Sequence, residues 1–140
     1  MTAASWDLQR SIYQTLSDAT ALTARLGGPR IFSKPPQGNA LPYITLGQTV
    51  NLDWSTGTED GTDHDLTLHI WTSADSAEEV HAIMDTVKTL LHDRPLSMED
   101  HYLVNLHHEF AEARIDPNGE MMHGIVRYRA LTEPLQQAAA

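Results

Sequence analysis

Cysteine is absent from the chain, which removes disulfides, thiolate catalysis and sulfur-ligated zinc from the chemistry open to it. Basic residues are scarce, nine Lys and Arg against nineteen Asp and Glu, for a formal net charge of −10. The nine are spread from Arg10 to Arg129 without a run, so no face is expected to grip the phosphates of a nucleic acid. Aromatics are few at 6%. No stretch approaches the roughly 20 apolar residues that span a bilayer, and Met1 to Leu8 lacks the basic start and apolar run of a signal peptide. A soluble chain with no membrane partner, folding in the cytoplasm, is the expectation. Phosphate loop, G-x-S-x-G elbow, G-x-G-x-x-G fingerprint and H-E-x-x-H zinc helix are all missing from the sequence.

What remains is an ordinary globular composition, 41% hydrophobic and 20% charged over 140 residues. That length predicts a single domain over 1–140, with a core at about 5–133 and a loose tail at 134–140. Leu8, Ile12 and Leu16 recur on one face of an N-terminal helix that Ser5 is placed to cap. Ser17-Asp18 offers a second cap before Leu22 and Leu26, and Gly27-Gly28-Pro29 stops the helical run. Ile31-Phe32 reads as a short strand, Lys34 to Asn39 as a loop, and Tyr43 to Leu52 as a strand. A polar stretch then leads to His64–Thr72, whose Leu66, Leu68 and Ile70 alternate with Asp65, Thr67, His69 and Trp71. The two strands predict an antiparallel hairpin with a long tip.

Ser76-Ala-Glu-Glu79 has the form of a capping box. Behind it Val80, Ile83, Met84, Val87, Leu90 and Leu91 make an apolar stripe at helical spacing, with Pro95 beyond the end. His101 to Ile115 reads as a long strand, bulged near Ala111-Glu112. Asp116-Pro-Asn-Gly119 is a turn, and Met121 to Thr132 returns as the last strand. The order predicts an α+β fold: a mainly antiparallel sheet of about four to five strands with helices packed on one face. The other face carries Trp71 and Thr67, with either Arg127 and Arg129 or Val126 and Tyr128. A mixed, aromatic-containing open face is a candidate protein-binding surface.

Eight histidines raise the question of a metal. In His107-His108-Glu109 a strand points His107 and Glu109 one way and His108 the other, so the three do not share an ion. Asp116-x-Asn118-Gly119 resembles the opening of a calcium loop but lacks its later ligands. The loop from Asp53 to Asp65 holds Asp53, Glu59, Asp60, Asp63 and Asp65 and no Lys or Arg. Such a set reads as a solvated acidic tip; the rival reading is an acid–base or metal-dependent enzyme built from it with His107 and Glu109. Trp54, in the same loop, either packs back on its own chain or anchors a partner. No catalytic, cofactor-binding or metal residue is assigned. Asp53, Trp54, Glu59, Asp60 and Asp63 are interface candidates, with Trp71, Phe110 and Tyr128 as candidates that core burial would explain equally well.

Five stretches in order carry a family resemblance: Leu22-Thr-Ala-Arg-Leu-Gly-Gly28, Pro42-Tyr-Ile-Thr-Leu-Gly47, Asp53-Trp-Ser-Thr56, Leu66-Thr-Leu-His-Ile-Trp71, and Gly124 with Arg127-Tyr-Arg-Ala-Leu-Thr-Glu133. Over Leu8 to Pro134 the chain resembles the tail-terminator or tail-completion proteins of long-tailed bacteriophages and phage-derived gene transfer agents. The resemblance implies a structural role without catalytic residues or cofactors. It implies a homohexameric ring at the head-proximal end of the tail tube, which ends tube growth and docks the neck stopper or connector protein. DNA would pass through without sequence-specific binding, and the ring would be assembled in the bacterial cytoplasm into a phage-like particle. A heterologous ring needs two unlike surfaces on each copy, and the acidic hairpin would suit a DNA-repelling lumen. A neck or head-closure connector is the alternative within the same class.

Overall fold

Helix and sheet share one apolar seam, and the helical half of it follows the expected periodicities. The computed structural model describes residues 2–135 apart from 37 and 39; most of the segment expected to be a loose tail therefore lies outside the described residues. Helix α1 spans Ala4–Asp18 and buries Leu8, Ile12 and Leu16. Ser5 lies inside its first turn, and the N-cap is Ala3, which has no side-chain oxygen to offer. Asp7 does more for this helix end. Its carboxylate, 1% exposed, accepts the backbone N–H groups of Glu99 (3.0 Å) and Asp100 (2.8 Å) and the Nδ1–H of His101 (2.8 Å). The first turn is thereby fastened to the start of a strand more than ninety residues away.

The helix breaks at Ala19, whose extended backbone separates α1 from α2, Thr20–Leu26. The break falls where it was expected, although neither Ser17 nor Asp18 caps the second helix. Gly27 then takes φ 77°, the left-handed conformation that ends a helix without steric cost to glycine. Strand β1, Ile31–Phe32, follows, then β2 over Tyr43–Asp53 and β3 over Thr62–Ser73. Helix α3, Ala77–Leu91, buries Val80, Ile83, Met84, Val87 and Leu91. Ser76 is its N-cap residue, but its side chain makes no capping bond; the helix start relies on Glu78 and Glu79 in its first turn, where negative charge is favoured. Strands β4, His101–Ile115, and β5, Met121–Pro134, complete the chain.

The sheet order is β1-β2-β3-β5-β4, antiparallel throughout except for the parallel β1–β2 pair. After α3 the chain first lays down β4 at the far edge, and β5 then folds back between β4 and β3. Both long hairpins have the expected partners. Register places Val126, Tyr128 and Ala130 on the helix-covered face, together with Leu66, Leu68 and Ile70. Arg127 and Arg129 fall on the open face, opposite Thr67 and Asp65. Gly124 is the point of closest approach to α3: a Cβ there would stand 2.8 Å from Val80 Cγ2 and 3.0 Å from Met84 Sδ.

Strand β4 is irregular at Val104 and Glu109, not at Ala111-Glu112, which pair regularly with Val126 and Ile125. The Glu109 bulge matters. By strict alternation Phe110 would share the covered face with His108; the extra residue turns it outward, opposite Arg127.

Candidate assembly surfaces

The β2–β3 tip is a tied-off loop. Trp54 N–H donates to Gly61 O (2.9 Å) and Thr56 N–H to Glu59 O (2.7 Å). Asp53 accepts from both the N–H (3.1 Å) and the hydroxyl (2.5 Å) of Ser55, which holds its carboxyl below the ordinary aspartate range. The Trp54 ring crosses the neck of the loop against Gly61, where a Cβ would come within 2.6 Å of it. Even so, it stays 41% exposed, just beyond the exposed Val50 and Leu52 of β2. Both readings of Trp54 therefore hold in part: one side packs on its own hairpin and the other faces outward. Glu59 and Asp60 are exposed at the tip. Asp63 is committed elsewhere. Arg129 donates to both of its oxygens (3.0 and 2.6 Å), and that contact lowers its pKa.

The open sheet face is less open than the alternation implied. Trp71 is half-buried, its ring stacked on His123 with centroids 3.8 Å apart and planes 10° off parallel. Its Nε1–H donates to Thr45 Oγ1 (3.2 Å), and Tyr43 lies beside it with Phe32 edge-on beyond. His69 Nδ1 and His123 Nε2 share a hydrogen bond of 2.8 Å. Burial, followed by the neighbouring His69, pushes His123 down to about 4. This aromatic plaque covers one end of the face with the protein's own side chains. Toward the other end Phe110 is exposed beneath the Arg127 guanidinium, 5.3 Å from its ring centre. The Glu109 carboxyl, hydrogen-bonded to Asp65, holds its proton above the ordinary glutamate range. Tyr128 is removed from the interface candidates. Its ring is 0% exposed on the covered face, edge-on to His108, where no partner reaches it.

His107 and His108 point to opposite faces, as alternation requires, but His107 meets a residue that the sequence did not pair with it. Asp93, just past α3, accepts the Nδ1–H of His107 (2.7 Å) and faces His92 Nε2 (3.2 Å). The three have a geometry that could hold a metal ion. Proton placement argues for a clamp instead. His92 Nδ1 accepts the backbone N–H of His108 (3.0 Å), so the proton of the neutral ring is on Nε2. A ligating histidine needs that nitrogen bare and its other nitrogen protonated, which would set two N–H groups against each other at His108. The cluster ties the α3 end to the β4 edge, helped by Asp93 N–H donating to Leu106 O (2.8 Å). The Asp116–Gly119 segment is likewise a turn, closed by Gly119 N–H to Asp116 O (2.7 Å).

A third surface escaped the sequence reading altogether. Trp6 and Tyr13, on one face of α1 and two turns apart, stand exposed across from Phe32, Pro35 and Pro36. Between them runs a groove of about 760 Å³, also lined by Gln9, Arg10, Ile31, Ser33, Lys34 and Leu46. Arg10 bonds Glu99 at its rim. The only signal for the groove was Trp6 and Tyr13 standing off the Leu8–Ile12–Leu16 stripe.

No helix of the described residues is long and apolar enough to cross a membrane. A chain in a solved structure of the virion of a native gene transfer agent particle superposes with a TM-score of 0.86 and 28% identity. That match covers 95% of this chain and 99% of the other. No curated protein matches the chain in sequence. The chain thus shares the fold of a protein found in a virion. More narrowly, residues 10–133 match the model described as Tail completion protein gp17, and the chain belongs to that family.

Proposed function

We propose that this chain terminates the tail of a phage-like particle. Copies form a ring, a homohexamer, at the head-proximal end of the tail tube, where the ring stops tube growth and receives the neck protein of the head. The observation that carries the reading is the match of nearly the whole chain to a component of a gene transfer agent virion, within a tail-completion family. The surfaces support it. The acidic tip with Trp54 and the α1–β1 groove are unlike each other, as subunits that join head to tail require. A net charge of −10 leaves little to hold DNA threading through the centre.

The test replaces the six tip residues 55–60 by Asn-Gly, which closes a two-residue hairpin between Trp54 and Gly61. The domain is expected to fold normally, while particles carry overlong tails or remain as unjoined heads and tails under the electron microscope. Particles of normal tail length with joined heads, in the variant and in a strain lacking the chain, would reject the reading.

A further inference from the structure

The two unlike surfaces have complementary chemistry, and we propose that they are the two halves of one contact: the β2–β3 tip of one copy seats in the α1–β1 groove of the next. This inference rests on the ring reading and specifies how its subunits join.

The tip offers Leu52 and Trp54, both exposed, and the carboxylates of Asp53, Glu59 and Asp60, without a cation between Asp53 and Asp63. The groove offers the reverse. Its apolar walls are Trp6, Tyr13, Phe32 and Pro35, and its charged lining residues are Lys34 and Arg10, the latter shared with Glu99 at the rim, with no carboxylate in the lining itself. Exposed aromatics flanked by charges of opposite sign are the usual makings of an interface centre and its rim. A polar but well-filled contact of this kind also sets register, since a tip facing a tip would bring like charges together.

One chain does not satisfy itself this way. The groove abuts β2 at Leu46, and β1 pairs with β2 at Ile44 and Thr45. The tip begins after Asp53, and at about 3.3 Å per residue of strand the tip stands more than 20 Å from the β1 end of its own groove. Tip and groove occupy different parts of the surface, so the contact is heterologous. It propagates from copy to copy until rotation closes it. The same contact places the acidic tip between subunits instead of in the lumen.

The absence of native cysteine makes the test direct. Thr58→Cys marks the tip and Ser33→Cys the groove, both exposed positions. Particles carrying the double variant are treated with a short bismaleimide and resolved on denaturing gels. A ladder of covalent multimers is expected from the double variant and none from either single variant. Multiple copies per particle, normal tails and no ladder would overturn the tip-in-groove contact while leaving the ring intact. A dimer from Thr58→Cys alone would overturn it too, by showing tip against tip. A single copy per particle would instead remove the ring reading beneath it. As a second measure, Trp54→Ala is expected to lower incorporation into particles at least tenfold, roughly the effect of losing an aromatic anchor, with the unfolding midpoint of the purified variant near wild type. Incorporation at the wild-type level would overturn the role given to Trp54.

Discussion

His64 sits at 0% exposure with both ring nitrogens occupied, Nδ1 by Asn51 Oδ1 (2.6 Å) and Nε2 by Thr132 Oγ1 (2.8 Å). One imidazole thus links β2, β3 and β5. Burial pushes it down to about 4, well below its ordinary value of 6.5. The unfolded chain therefore binds this proton more readily than the folded one between those values. The contribution to stability is fully present above about pH 6.5 and is lost as pH falls toward 4, by roughly 3 kcal/mol for a shift of that size. Urea midpoints of wild type and His64→Gln at pH 7 and pH 4.5 check this: the variant should lose visibly less than wild type on acidification. Parallel losses would rule out His64 as a source of acid sensitivity. Nothing in the sequence announced this residue. His64 stood among eight histidines, and its partners lie 13 and 68 residues away, so its meaning depended on a register that only the assembled sheet supplies. Tyr128 was ambiguous for the same reason, since alternation along β5 left open which parity faced the helices.

At the scale of elements the sequence carried further, because helix and strand periods are local. The stripe from Val80 to Leu91, the Gly27 stop and the Asp116–Gly119 turn all have the expected place. Failures fell where a single extra residue or a missing bond decides the outcome. The Glu109 bulge reversed the facing of Phe110, and Ser76 heads α3 without bonding to it. Gly124, read only as part of a motif, has a packing role: it lets α3 lie against β5. In Gly124→Ala the added methyl meets Val80 Cγ2 at 2.8 Å, and Val80 is fully buried. Overpacking of this kind costs about 1–3 kcal/mol. Thermal denaturation should show a melting point several degrees lower for Gly124→Ala. An unchanged melting point would mean that the helix shifts off the sheet freely, contrary to the close seam between α3 and β5.

For the whole molecule the governing quantity is charge. Each copy carries a formal −10, so bringing several together sets a long-range repulsion against short-range tip and groove contacts. The two respond differently to salt. Repulsion between whole subunits acts over tens of ångströms and is screened once the Debye length falls to about 10 Å near 0.1 M. Burial of Trp54 and Leu52 against Trp6 and Tyr13 involves no net charge and survives high salt. The few ion pairs available to Arg10 and Lys34 weaken in parallel, but solvent-rimmed pairs contribute only about 0–1 kcal/mol each. Repulsion is the larger electrostatic effect, so self-association should strengthen as salt rises. Sedimentation of the purified chain at one protein concentration, from about 10 mM to 500 mM salt, is expected to shift toward larger species. A shift toward smaller species would mean that attraction between unlike charges dominates the contact, leaving its apolar part too small to hold a ring.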